Sequence, residues 1–368
     1  MTESTVAFSW QNSDFARQFS SAVCLHGHTM YSEECLDFLP RHLKHVPGVS
    51  HLVDGYRRRG SVDFARAYWT PPLTPAAALR LEQEQIADLG LRPMVSLTDH
   101  DNIEAPIALQ LTARVEVPLS VEWTVPYQRA ILHFGIHNLP PAEARRWLAV
   151  MAAYTSSPDE ACLPQILSEL SELPEVLVVL NHPFWLEEGV TEADRAAALD
   201  RLLRECVAHF HAFELNGTRK WHENAATIEL ARQYSRPVIS GGDRHACEPA
   251  ACLNLTNAAS FGEFAAEIRA GHSKVLFMPH YREPMALRIL ETAWQILRPY
   301  PEYLGREDWM DRVFYRDAHG VAEPLSAVWK DRVPWIVRPT TGLLQLCAMR
   351  GVRPALRLLL SGRAELLP

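Results

Sequence analysis

Five short apolar runs in this chain stop abruptly on a histidine or a carboxylate, and that recurrence constrains the fold more than any other feature. Ala-Val-Cys-Leu runs into His26-Gly27-His28, Met-Val-Ser-Leu into Thr98-Asp99-His100-Asp101, and Pro-Leu-Ser-Val into Glu122, with His133 following in Ile-Leu-His-Phe-Gly. Val-Leu-Val-Val-Leu runs into Asn181-His182-Pro183, and Pro-Val-Ile-Ser-Gly-Gly into Asp243-Arg244-His245. Runs this short, rich in Val, Ile and Leu, read as strands buried on both faces.

The spacing predicts strands at Ala22–Leu25, Arg92–Leu97, Val117–Val121, Ala130–Ile136, Val176–Leu180, His211–Leu215, Pro237–Ser240 and Lys274–Met278. Apolar residues at helical spacing over Thr74–Leu89, Pro158–Leu173, Glu192–Ala208, His222–Tyr234 and Phe261–Ala270 supply crossover helices between them. Thr191 followed by Asp194 predicts an N-cap with an acidic first turn, and Gly271 predicts a helix stop. Two regions fall outside the alternation. Residues 40–75 form an insertion rich in Pro, His and Arg that includes Arg57, Arg58 and Arg59, and it reads as a solvated loop. Residues 285–368 follow the last strand as a C-terminal extension, helical over Met285–Leu297 and then rich in Trp and Pro.

Placing this many ionisable groups at the carboxyl ends of buried strands is costly unless they pair or hold metal. His26 and His28, two residues apart on one strand end, face the same side and form a chelate. Any one of these motifs is weak alone in a chain with 16 histidines, but the ordered set points to a clustered metal site. His137, His209, His211 and His222 lie near the motifs and stay unassigned.

Composition narrows the alternatives. Hydrophobic residues at 48% and charged residues at 22% allow a sizeable core, so disorder is excluded. A net charge of −8 argues against a broad surface for nucleic acid, although a nucleotide or an oligonucleotide end could bind locally. The seven cysteines are scattered without zinc-loop or redox spacing, which fits reduced thiols and a cytoplasmic location. No apolar run reaches the roughly 18 residues of a membrane span.

In their order and context, His26-x-His28, Thr98-Asp99-His100, Val121-Glu122, Leu132-His133-Phe134-Gly135, Asn181-His182-Pro183 and Gly242-Asp243-x-His245 resemble the motifs of the polymerase-and-histidinol-phosphatase (PHP) phosphoesterases. The resemblance covers residues 20 to 250. It implies a distorted (β/α)7 barrel, here over residues 15–284 with the C-terminal helical extension beyond, and two or three divalent ions (Mn, Zn or Fe). Carried over by position, His26, His28, Glu122 and Asp243 hold one ion, and Glu122 bridges to a second held by His133 and His182. The third takes His100, His245 and a carboxylate, for which the family's offset gives Glu33, one methylene longer than the usual Asp. Gly242 stands where the family commonly has Ser, and Glu214 matches a strand residue that supports the ligands.

The implied activity is hydrolysis of a phosphate ester by a metal-activated water. His182 or Asp99 assists proton transfer, and Arg244 clamps the phosphate, with Arg219 and Lys220 next in line. The expected partner is a small phosphorylated substrate or a nucleotide or oligonucleotide end, with no extended nucleic-acid surface and no membrane. The competing readings are a carbon–nitrogen hydrolase of the amidohydrolase type and a non-catalytic PHP module. Against the first, none of the four lysines sits at a strand position that could bridge metals; against the second, nearly all ligands are present.

Overall fold

The computed structural model describes residues 3–36, 66–187, 189–330 and scattered positions between 333 and 358. Most of the 40–75 insertion, including Arg57, Arg58 and Arg59, and most of the chain after 330 lie outside the described residues.

The chain opens with β1 (Glu3–Phe8), β2 (Ser21–Cys24), β3 (Glu34–Cys35) and β4 (Ala67–Trp69), followed by α1 (Pro75–Asp88), β5 (Arg92–Val95) and α2 (Glu104–Thr112). A hairpin of β6 (Val121–Tyr127) and β7 (Ala130–His137) leads to α3 (Ala144–Ser156), α4 (Leu163–Glu172) and β8 (Leu177–Asn181). Strict alternation follows through α5 (Glu192–Cys206), β9 (Ala212–Asn216), α6 (Trp221–Gln233) and β10 (Val238–Gly241). After β11 (Cys252–Thr256), α7 (Phe261–Arg269) and β12 (His272–Phe277) come α8 (Met285–Leu297), β13 (Val313–Arg316), β14 (Ala322–Pro324) and α9 (Leu325–Trp329).

Two five-stranded sheets carry the core, in the orders β1-β12-β11-β2-β5 and β10-β9-β8-β7-β6. The strands β2, β8, β9, β10 and β11 are buried along their whole length, as expected for strands covered on both faces. Helices cap as the sequence indicated: Thr191 accepts from the Asp194 amide at 3.0 Å, and Gly271, at φ +88°, ends α7.

Among the described residues the strands form a mixed α/β arrangement with no closed barrel, and the distorted (β/α)7 barrel implied by the resemblance is not shown. The β6–β7 and β7–β8 pairs are antiparallel, and β11 enters antiparallel between β2 and β12, so the parallel alternation breaks twice. The two sheets pack along β10 and β11, where Asn254 bonds Ser240, and near the carboxyl ends of their strands isolated bridges join Gly27 to Arg244 and His100 to Glu122. Backbone bonds from Gly242 N to Leu25 O (2.8 Å) and from His28 N to Arg244 O (2.9 Å) seal one seam. Glu122 N to Asp99 O (3.2 Å) and Asp101 N to Glu122 O (3.0 Å) seal the other. The predicted motif ends are thereby drawn together between two open sheets.

The C-terminal extension is not purely helical. After α8, β13 and β14 join β4 and β3 in a four-stranded sheet ordered β14-β13-β4-β3, which lies beside the motif ends because β3 contains Glu34. Of the predicted strands, the one at Val117–Val121 is displaced: the ladder begins at Val121 and runs to Tyr127, where Trp123, Val125 and Tyr127 alternate into the core.

Candidate metal centre

Backbone geometry at the strand ends aims the site. His26, His182 and Asp243, each just past β2, β8 or β10, adopt φ of 62°, 22° and 48°. These left-handed conformations are costly for residues with a Cβ and are held by the surrounding packing. The Gly241-Gly242 pair before Asp243 is sterically required. A Cβ at 241 would fall 1.4 Å from Glu214 Oε1, and one at 242 would fall 2.7 Å from Ala250 Cβ and 3.2 Å from the His26 carbonyl.

Among the described residues three groups of potential ligand atoms result, each drawn to within 4.8 Å: His26, His28 and Asp243; His26, Glu122 and His182; and His28, Glu34, His100 and His245. Glu122 stands at their junction. Its Oε2 lies 2.8 Å from His26 Nε2, 3.3 Å from His28 Nε2 and 3.5 Å from His100 Nε2. Its Oε1 lies 3.1 Å from His182 Nε2 and 3.6 Å from His133 Nδ1. Asp243 Oδ1 is 3.6 Å from His26 and 3.5 Å from His28. Glu34 Oε2 is 3.2 Å from His245 Nε2 and 3.5 Å from His100 Nε2.

A surrounding set of polar groups orients these side chains. Glu214 accepts from His26 Nδ1 at 2.5 Å and from the His182 amide at 2.7 Å, while the Asn181 amide donates to Glu122 Oε1 at 3.0 Å. Asn216 and Thr218 donate to Asp243 Oδ2 at 3.0 and 2.9 Å. Such outer partners fix ring orientation and tautomer in metal sites.

The electrostatics are those of a buried cluster of charge. Burial would depress His26 and His245, but Glu122, Glu214 and Asp243 around the first and Glu34 and Asp243 around the second hold both imidazoles above their usual range. His100 is pushed up to about 10, because Glu34 and Glu122 override its desolvation. Desolvation and the neighbouring His245 take His28 the other way, to about 4. Glu34, Glu122 and Asp243 resist their own burial and stay well below the ordinary carboxylate range because imidazoles surround them.

The donor set fits divalent transition metal. His28 Nε2 and His133 Nδ1 are buried and make no hydrogen bond although both face Glu122, and two nitrogens aimed at a shared carboxylate without bonding to it suit coordination. Imidazoles mixed with carboxylates favour Mn, Zn or Fe over the all-oxygen cages of Ca or Mg.

The structure brings together nearly all the residues singled out in the sequence and moves three. Glu34, not Glu33, stands among the imidazoles; Glu33 is half-exposed and pairs with Arg316. Asp99 does not reach the centre as a proton donor. Its carboxylate accepts from the Thr29 amide at 2.5 Å and from the Thr29 hydroxyl at 2.7 Å, and burial lifts it to about 6 against those two bonds. Arg244 is no phosphate clamp: its guanidinium turns away to Glu82 Oε1 (2.8 Å) and the Ala246 carbonyl (2.9 Å) and is buried behind the strand end. His133 stacks on Trp185 with ring centroids 5.2 Å apart and approaches only Glu122 among the carboxylates. Of the unassigned histidines, His137 is pushed down to about 3 by burial and bonds Ser96.

A cleft of about 1190 Å³ opens over the centre, lined by His100, His133 and His182 from the site and by Trp69, Trp185 and Arg219 from its rim. Arg219 lies over the Trp185 ring at 5.6 Å and reaches Asp243 Oδ2 at 3.3 Å.

No family model and no curated protein matches this chain. Among solved structures it is similar to PsfC from Pseudomonas syringae PB-5123, at 12% identity and TM-score 0.36 over 71% of this chain and 93% of that one. It is similar to a protein from Bifidobacterium adolescentis provisionally assigned as a metal-dependent phosphoesterase, at 14% identity and TM-score 0.32 over 54% and 92%. A third similar structure, an amidohydrolase from Chromobacterium violaceum with bound sulfate and no metal, gives 15% identity and TM-score 0.35 over 61% and 87%. Likeness at these scores carries no inference, and the chemistry rests on the centre itself.

Proposed function

We propose that this chain is a metal-dependent hydrolase that cleaves a phosphate ester. The observation that carries the reading is Glu122: one buried carboxylate whose two oxygens face different imidazole sets, His26, His28 and His100 on one side and His182 and His133 on the other. A carboxylate shared in this way could serve two neighbouring cations at once. Two or three divalent ions held by His26, His28, Asp243, Glu122, His182, His133, Glu34, His100 and His245 supply Lewis acidity and an acidified water when bound.

The chain's own residues do the rest. Glu214 and Asn181 keep His26 and Glu122 in register, and Thr218 and Asn216 do the same for Asp243. Arg219 lines the cleft beside Asp243 and is more exposed than Arg244, whose guanidinium is held by Glu82 and the Ala246 carbonyl, so Arg219 is the better placed of the two for a phosphate oxygen. A chain of net charge −8 favours a small phosphorylated compound or a nucleotide or oligonucleotide end over a long polyanion.

The test is a panel of phosphomonoesters, cyclic and linear phosphodiesters, short oligonucleotides, and amides and cyclic ureides, assayed with added Mn, Zn or Fe. Turnover of a phosphate ester that disappears with chelator and returns with metal is expected. Turnover confined to the carbon–nitrogen compounds would shift the function to an amidohydrolase. A metal-loaded protein inert towards the whole panel would favour a binding module.

A further inference from the structure

We propose that residues 285–330 complete the third ligand group, so that occupancy of the His28, Glu34, His100 and His245 pocket depends on this segment while the Glu122 bridge does not. The proposal rests on the metal reading of the site but not on the phosphate ester.

The segment grips both of the pocket's peripheral ligands. Glu34 is delivered by β3, a strand of two residues whose sheet partner is β4, through Glu34 opposite Trp69 and Cys35 opposite Tyr68. A two-stranded ribbon this short is marginal alone, and a sheet of three or more strands is needed to hold it. The C-terminal chain provides those strands: β13 pairs with β4 through Val313–Trp69, Phe314–Tyr68 and Tyr315–Ala67, and β14 pairs with β13. Arg306 ties this sheet to the turn before Glu34, donating to the Met30 carbonyl at 2.9 Å and the Thr70 hydroxyl at 3.0 Å. Arg312 is fully buried and its guanidinium donates to the carbonyls of Ile296, Arg298 and Arg306 at 2.7, 2.8 and 2.7 Å, which fixes β13 against the end of α8.

The second grip is on the loop after His245. Gln295, on α8, accepts from the Cys247 amide at 2.7 Å and donates to Glu248 at 2.9 Å. Tyr300 Oη lies 2.9 Å from Cys247 Sγ and donates to the Gln295 carbonyl at 2.6 Å. Trp69, which β13 holds in place, packs its ring 6.0 Å from that of His245. By contrast His26, Glu122 and His182 are positioned by β2, β6, β8 and β9 through Glu214 and Asn181, none of which belongs to the C-terminal segment. Arg306 and Gln295 are therefore positioning residues for one pocket of three.

The experiment uses full-length protein stripped of metal and reloaded, with metal per chain read by elemental analysis and each equivalent resolved by titration with Mn or Zn. Arg306→Ala and Gln295→Ala, alone and together, are set beside Leu304→Ser, which alters an exposed side chain of the same segment. The expected result is that the weakest equivalent loses roughly tenfold or more in affinity in each variant and is absent from the double variant. The remaining equivalents titrate as in wild type, Leu304→Ser changes nothing, and Arg306→Lys recovers part of the loss. The proposal is overturned if the double variant keeps the wild-type titration, if wild type binds only two equivalents, or if all equivalents are lost together. The readout is metal binding, so an inactive phosphate panel leaves this result standing on its own.

Discussion

At the residue scale the period-two alternation of extended chain decides which neighbours of a ligand belong to the site. Glu33 and Glu34 are adjacent carboxylates, and only Glu34 faces the imidazoles. Arg244 sits between Asp243 and His245, both in the centre, yet its guanidinium bonds Glu82. The family's offset points to Glu33, and an offset cannot register which of two neighbouring carboxylates faces the imidazoles. Glu34→Gln is expected to remove the third equivalent of metal and to lower turnover by roughly 100-fold, whereas Glu33→Ala leaves both near wild type. Elemental analysis beside steady-state rates decides between them, and the opposite pattern would return the ligand role to Glu33.

Protonation offers a second residue-scale check. His100 titrates near 10 in the metal-free fold, and His26 and His245 are raised as well, so at pH 7.5 protons occupy nitrogens that metal must take. Metal binding should therefore release protons, and apparent affinity should rise with pH until His100 is neutral near 10. The same shift stabilises the metal-free fold fully below the ordinary imidazole value and is lost as pH climbs through about 10. Calorimetry in buffers of different ionisation enthalpy measures the release; no net proton release at neutral pH, or a pH-independent affinity, would contradict the assignment.

At the element scale, what could be read from sequence was the strand ends that carry chemistry, because a buried apolar run broken by an ionisable group is a strong local signal. Strands without that punctuation were harder. β11 reads Cys-Leu-Asn-Leu-Thr, and its Asn254 resembles a turn residue, yet it is buried and bonded to the Ser240 amide and hydroxyl, both at 2.8 Å. α2 escaped notice because Pro106 lies within it, a position in the first turn where proline is tolerated.

Behind the site the buried pair of Arg244 with Glu82 ties the chain after β10 to α1. Arg244→Met should cost about 3–5 kcal/mol in chemical denaturation by leaving Glu82 buried without its partner, and adding Glu82→Met should recover much of that. If instead the single variant unfolds normally but shows a raised KM for phosphate esters, Arg244 acts on substrate after all.

At the scale of the whole molecule, sequence alternation points to parallel strands with crossover helices because it cannot register that β6, β7 and β8 pair antiparallel or that β11 inserts in reverse. Strand direction depends on long-range pairing, and both arrangements present the same buried runs. The role of the C-terminal chain was hidden for a related reason: β13 gains its meaning from β4, which lies more than two hundred residues earlier. What survives every one of these corrections is a cluster of imidazoles and carboxylates gathered at the seam between two open sheets.

Glu122 is the residue through which that cluster acts as a unit, since its two oxygens serve separate imidazole sets. Glu122→Gln keeps the size and polarity of the side chain but removes the charge that would offset bound cations. Measuring metal per chain in wild type, Glu122→Gln and His245→Ala is the most direct test. Two or three equivalents are expected in wild type, with Glu122→Gln losing more than one and His245→Ala losing one. A full complement of metal in Glu122→Gln, with the loss confined to His245→Ala, would contradict a centre built around a bridging carboxylate.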